Sequence, residues 1–214
     1  IILKHYNGLS GSELILKGNV EIHNILNIFL DNYVKNLLIN SETEKFNKQI
    51  YLEKCKQIKN KTSFKHLKLF KKISKKIYSK LDSVKYNIKG KCHGDLTLSN
   101  IIVNIDLKEI ILIDFLKTYV DSPILDICKL IQDLRLYWSA RKFNGTDLVR
   151  AKIFCNNLNP FNSIKKNHYY KILELEMLMT LIRILPYVPI RDSDTIKWLE
   201  SSYEILTDNY LKNL

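Results

Sequence analysis

The sequence predicts a mainly helical α+β domain with one small β-hairpin set among its helices. Apolar residues recur at three- and four-residue steps through several segments of the 214-residue chain, the mark of helices with one buried face. One internal segment breaks that rhythm. The apolar runs Ile101-Ile102-Val103 and Ile110-Ile111-Leu112-Ile113 flank Asn104 to Lys108, which reads as a hairpin around a turn. With 46% apolar residues and no repeat or low-complexity linker, the chain can fill one sizeable core.

The elements follow in order. Ile1-Ile2-Leu3-Lys4-His5-Tyr6 is an apolar opening, and Asn7-Gly8-Leu9-Ser10-Gly11-Ser12 is loop-like, so residues 1–17 are expected to be a strand and loop leading into a helical body, 18–214. Gly18-Asn19 predicts a cap for a helix from Val20 to Leu38, with Ile22, Ile25, Leu26, Phe29 and Val34 inside. Ser41-Glu42-Thr43-Glu44 predicts the start of another, to about Asn60. Phe64, Leu67, Phe70, Ile73, Ile77 and Leu81 mark one buried face of a third. Glu109 to Ile113 is the return strand of the hairpin. Ser122-Pro123 predicts a helix start with Pro in the first turn, running to about Ala140. Later helices are expected over 146–156, 163–185 and 193–212, separated by Asn159-Pro160 and by Pro186 to Pro189.

Charge is unevenly spread. Residues 45 to 91 hold sixteen Lys against Glu53 and Asp82, which accounts for the excess in a chain of net charge +12. Seven of these Lys (65, 68, 71, 72, 75, 76 and 80) fall outside the apolar face of the third helix. They form either a solvated surface or a platform for a polyanion, an anionic membrane or a protein partner. No aromatic residues interleave the Lys face, so specific nucleic-acid binding is not indicated. No eighteen-residue apolar run could span a membrane: Leu173 to Val188 is broken by Glu174, Glu176, Arg183 and Pro186. The opening residues do not read as a basic–apolar–cleavage signal. Cys55, Cys92, Cys128 and Cys155 are scattered without a C-x-x-C pair, which indicates neither zinc site nor disulfide framework and fits a reduced, cytoplasmic protein.

The chemistry concentrates in Cys92-His93-Gly94-Asp95-Leu96-Thr97-Leu98-Ser99-Asn100 and in Leu112-Ile113-Asp114-Phe115. A loop Asp, an Asn five residues on, a hairpin and a second Asp at a strand end make the arrangement that phosphoryl transfer from ATP requires. Asp95 can orient an acceptor hydroxyl and take its proton. Asn100 offers a neutral oxygen to a hard cation, and the hairpin returns Asp114 beside it. Two oxygens are too few for a free Mg²⁺ site, so metal is expected only with a nucleotide whose phosphates complete the shell. His93 reads as a structural histidine packed under the loop rather than an acid or base.

These residues, with Ser122-Pro123-Ile124-Leu125-Asp126-Ile127, resemble the aminoglycoside phosphotransferase and choline kinase-like group, small-molecule kinases that share the protein-kinase fold. The resemblance covers residues 1 to 140. It implies a C-terminal catalytic lobe with Asp95 as base, Asn100 and Asp114 as Mg²⁺ ligands, and ATP as co-substrate. It also implies that Asp126 bonds back to the catalytic loop, that residues 1–17 are the strand linking the two lobes and the loop after it, and that backbone near His5 and Tyr6 contacts the nucleotide base. Two departures stand out: Leu116 where the group has Gly, which disfavours a freely flipping metal loop, and Ser122 where it has Asp. The group's Gly-rich loop and strand Lys are not found in these 214 residues. An N-terminal lobe is therefore expected to be missing, and this chain to be nearly inactive alone.

The acceptor is less legible. Cationic acceptors need carboxylates or an aromatic cage, for which Asp133, Tyr137, Trp138, Glu174 and Glu176 are candidates; Tyr137 and Trp138 serve equally well as core. Residues 92 to 214 carry fifteen charges of each sign, which favours a neutral or weakly charged sugar or amino alcohol over a polycation. The alternative function is an impaired kinase-like scaffold that binds a protein or polyanion through its Lys-rich helix.

Overall fold

A computed structural model describes residues 8–17, 20–104, 106, 108–161, 164 and 166–208. A short strand β1 (Leu9–Ser10) leads into α1 (Gly11–Lys17), so the stretch read as loop at 11–17 is helical. The long α2 (Val20–Ile39) follows, burying Ile22, Leu26, Leu30 and Val34 along one stripe. The cap expected at Gly18-Asn19 lies outside the described residues.

The second expected helix needs correction. Glu42–Lys45 is a strand, β2, paired antiparallel with β3 (Tyr86–Lys89) in the register Glu42↔Lys89 to Lys45↔Tyr86. The helix α3 (Lys48–Lys61) begins only after it, where Asn47 Oδ1 accepts the Gln49 N–H at 3.1 Å. A Ser-x-Thr-Glu run mimics a helix start, but pairing with a strand some forty residues on decides the local structure.

Helix α4 (Leu67–Leu81) buries Leu69, Phe70, Ile73, Ile77 and Leu81. Phe64 is 75% exposed and Leu67 only half-buried. Residues 64–66 form a separate 3-10 turn, whose tighter winding puts Phe64 out of phase with the face below it. On the Lys side, Lys80 pairs with Glu174 at 2.5 Å, and Lys72 approaches Glu204 at 3.7 Å and the Tyr203 ring at 4.9 Å.

The hairpin forms as expected. β4 (Ile101–Asn104) pairs with β5 (Glu109–Leu112) from Ile101↔Leu112 to Asn104↔Glu109, and β1 adds antiparallel on the other edge of β4. Helix α5 (Pro123–Leu134) starts at Ser122, whose Oγ accepts the Ile124 N–H at 3.3 Å. It ends at Leu134, six residues before the expected Ala140. Tyr137 takes a left-handed conformation (φ 57°), and Trp138–Ala140 is a 3-10 turn, so the chain turns out of the helical path there. Three helices complete the fold: α6 (Gly145–Asn157), α7 (Lys166–Ile184) and α8 (Ser193–Thr207).

The core centres on α5 and α7. Along α7, Leu175, Met177, Leu178, Met179, Leu181 and Ile182 are all at most 1% exposed, because α4, α5 and α8 pack around it. A helix wrapped on several sides must be apolar on several sides. The result is a mainly helical α+β architecture with two small antiparallel sheets, consistent with a kinase-like C-terminal lobe. No helix among the described residues is long and apolar enough to cross a membrane.

Candidate active site

The loop from Lys91 to Asn100 joins β3 to β4 and lies against one face of α5. Asp126, Lys129 and Asp133 stand at i, i+3 and i+7 of that helix, which stacks them on one side, and each engages the loop. Asp126 Oδ2 accepts the His93 N–H at 2.6 Å and Oδ1 the Gly94 N–H at 2.8 Å. Lys129 Nζ lies 2.9 Å from Asp95 Oδ1. Asp133 Oδ2 accepts the Leu98 N–H at 2.6 Å, while Oδ1 accepts the Ser139 N–H at 2.8 Å. Three side chains of one helix thus fix the loop at its start, middle and end.

Burial sets the electrostatics of this column. Asp126 and Asp133 are fully buried. Desolvation pushes the Asp126 carboxyl up to about 6, against the opposing pull of the His93 and Gly94 N–H donors. Asp133 is raised for the same reason, opposed by its bonds to Ser139 and Leu98 and by the charge of Lys129. Both groups accept two backbone N–H bonds each, and Asp126 also accepts from the Tyr33 hydroxyl and Asp133 from the Ser139 hydroxyl.

Asp95 differs. Its side chain is 28% exposed and lines a cavity of about 520 Å³. Asn100 Nδ2 donates to the Asp95 carbonyl at 2.8 Å and to Asp95 Oδ2 at 3.2 Å, so the carboxylate is held from both sides, by Lys129 and by Asn100. Committing Nδ2 to Asp95 leaves the Asn100 amide oxygen as an acceptor. The Ile113 N–H donates to the Asn100 carbonyl at 3.0 Å, so the hairpin ladder sets Asp114 beside Asn100. Asp114 is exposed at φ 59°, a left-handed conformation that Asp tolerates.

The two loops are also joined directly. The Leu116 N–H donates to the His93 carbonyl at 2.9 Å. Gly94 sits at φ 87°, where a Cβ would lie 2.2 Å from the Leu116 carbonyl oxygen; only glycine permits that approach. The fully buried His93 ring packs on Phe115 with centroids 4.2 Å apart, and its Nδ1 accepts the Asp95 N–H at 3.3 Å. The ring thus braces the backbone of Asp95 from beneath.

Asn100 and Asp114 supply one neutral and one anionic oxygen, a donor set suited to a hard cation shared with phosphates. Among the described residues no group of three or more His, Cys, Asp or Glu could hold a metal ion. His5 and Tyr6 lie outside the described residues. Of the acceptor candidates, only Trp138 lines the cavity. Tyr137 hydrogen-bonds Asn156, Glu174 pairs with Lys80, and the fully buried Glu176 accepts from the hydroxyls of Tyr51 and Tyr119. Sequence reasoning missed Lys129 and the clamping role of Asp133; their spacing from Asp126 was the available signal.

The fold and the loop arrangement are consistent with the C-terminal lobe of a kinase-like protein. A model of the Ecdysteroid kinase-like family matches residues 18–136, a span that includes the catalytic-type loop, the hairpin and the whole α5 column. The chain belongs to that family, a member of the wider aminoglycoside phosphotransferase and choline kinase-like group. No curated protein matches it.

Proposed function

We propose that this protein is an ATP-dependent kinase that moves the γ-phosphoryl group to a hydroxyl of a small metabolite. The observation that carries this reading is the Asp95 carboxylate, braced by Lys129 and Asn100 at the edge of an open cavity. In that position Asp95 orients the acceptor hydroxyl and takes its proton as the new O–P bond forms. Asn100 and Asp114 would hold Mg²⁺ together with the nucleotide phosphates. That cation would offset charge on the transferring group. His93 and Asp126 keep the loop in register, and backbone near His5 and Tyr6 is proposed to contact the nucleotide base. The family description makes ecdysteroids one acceptor class to test.

The test is turnover of ATP by the full gene product across a panel of hydroxyl compounds: an ecdysteroid, sugars, amino alcohols and their phosphorylated or acidic derivatives. Asp95→Ala is expected to lower turnover by about 10²–10⁴-fold while leaving nucleotide affinity nearly unchanged. A variant with wild-type turnover would overturn the assignment.

A further inference from the structure

The cavity beside Asp95 has a composition that a neutral acceptor does not explain. Six cationic side chains line it: Lys54, Lys61, Lys117, Lys129, Arg141 and Arg183. Among the described residues only two carboxylates do, Asp95 and Asp192. Both are already engaged, Asp95 by Lys129 at 2.9 Å and Asp192 by Lys142 at 3.2 Å and by the Thr195 N–H and hydroxyl. Asp192, with the buried Asp133, also offsets part of the charge of Arg141; neither Asp95 nor Asp192 is paired with Lys54, Lys61, Lys117 or Arg183 among the described residues.

Arg183 is the sharpest case. It stands near the end of α7 with its Nη1 buried and without a hydrogen-bond partner among the described residues. The buried carboxylate whose field it shares, Glu176, has its oxygens taken by the Tyr51 and Tyr119 hydroxyls. The Arg183 guanidinium lies 5.4 Å from the Tyr119 ring, lines the cavity and makes no ion pair among the described residues, so the donors of its fork other than the buried Nη1 are the ones that can take an anion. Lys54 lies 5.6 Å from the Tyr119 ring and makes no ion pair among the described residues; burial, then Arg183, then Lys61 depress its pKa, as expected for a partly buried cation beside other cations. Arg141 is held ready, stacked 3.7 Å over the Trp138 ring, with Nε on Thr195 and Nη1 on the Trp138 carbonyl.

We infer that the acceptor is a hydroxyl compound that also carries an anionic group, a phosphate, sulfate or carboxylate, which Arg183 and Lys54 bind while its hydroxyl faces Asp95. The inference rests on the kinase reading for the fate of the hydroxyl. The anion site itself stands on the cavity alone. It departs from the expectation of a neutral or weakly charged acceptor, because charge balance over residues 92–214 hides how those charges are distributed. The six cations come from α3, the loop after β5, α5, the residue that follows the 3-10 turn at 138–140 and α7, and only folding gathers them.

Titration calorimetry on the wild-type protein without nucleotide tests the anion site, with glycerol 3-phosphate, ribose 5-phosphate and gluconate as probes against glycerol, ribose and an ecdysteroid. The anionic members are expected to bind, and the phosphate and carboxylate arms identify which anion is preferred. Arg183→Gln and Lys54→Gln are each expected to weaken that binding by about tenfold or more. In turnover assays both should raise the KM of the acceptor and leave that of ATP nearly unchanged. Neutral probes binding as well as anionic ones would overturn the inference, as would unchanged affinity in both variants. So would a shift confined to the KM of ATP, which would assign the cations to the nucleotide. Anion binding that depends on Arg183, with no turnover of any acceptor, would sink the kinase reading and leave the anion site standing.

Discussion

The carboxylates of α5 and those of the neighbouring loops share one small volume, yet they are put to opposite uses. Asp126 and Asp133 are fully buried, and each accepts two backbone N–H bonds. Asp95 and Asp114 are partly or largely exposed, with Asp95 held by side chains that leave it open to the cavity. A buried carboxylate committed to backbone N–H groups and shut off from solvent fixes geometry rather than meeting a ligand. An exposed carboxylate on a fixed loop keeps its reactivity. Position here is supplied by one set of acids so that chemistry can be left to the other.

Breaking the frame without touching an acid gives the largest expected effect on folding. Gly94→Ala places a methyl group 2.2 Å from the Leu116 carbonyl, at φ 87°. Positive-φ strain of about 1–3 kcal/mol adds to overpacking of about 1–3 kcal/mol, because the obstacle is backbone and cannot swing aside. Chemical denaturation should show a loss of several kcal/mol. A loss below about 1 kcal/mol would mean that the contact between the two loops is not built as described.

Asp126 sharpens the comparison through pH. Its carboxyl, pushed up to about 6 by burial, binds a proton in the folded protein at pH values where the unfolded chain has already released it. Stability from this group is therefore greatest near pH 4 and falls as pH rises through about 6. Asp126→Asn removes that trend and leaves one of the two N–H donors facing an amide N–H group, a cost of about 1–3 kcal/mol. The gap between wild type and variant should widen as pH is lowered from 7 to 5. A gap that narrows would mean that the group is ionised more easily in the fold than in water, and that its hydrogen bonds outweigh its burial.

How much of this was legible follows from distance along the chain. The hairpin, the N-cap of α5 and the spacing of Asp95, Asn100 and Asp114 are local patterns, and bringing the last three together needs only the register of β4 with β5. The strand β2 was not legible, because its partner lies about forty residues away and its own residues suit a helix start. The end of α5 was hidden in an apolar continuation, Leu136-Tyr137-Trp138, that the left-handed Tyr137 takes off the helix. Lys129 was overlooked because a Lys in an apolar helix reads as surface until the loop opposite is known. The cation-lined cavity was the least legible of all, since its residues run from Lys54 to Arg183.

The Lys-rich face of α4 sets the lower end of the scale. Lys72 lies 3.7 Å from Glu204 with both side chains at least half exposed, whereas Lys80 meets Glu174 at 2.5 Å with side chains only 18% and 14% exposed. An exposed pair contributes little, because water and salt screen it and two long side chains must be ordered to form it. Lys72→Met should therefore change stability by less than about 0.5 kcal/mol, and by less still at high salt. Lys80→Met should cost more, since Glu174 would lose its partner in a site where water reaches it poorly. Thermal unfolding of both variants at low and high salt checks the contrast. Equal effects would show that the two ends of α4 are equally solvated, and that Lys80 belongs with the surface rather than with the packed junction of α4 and α7.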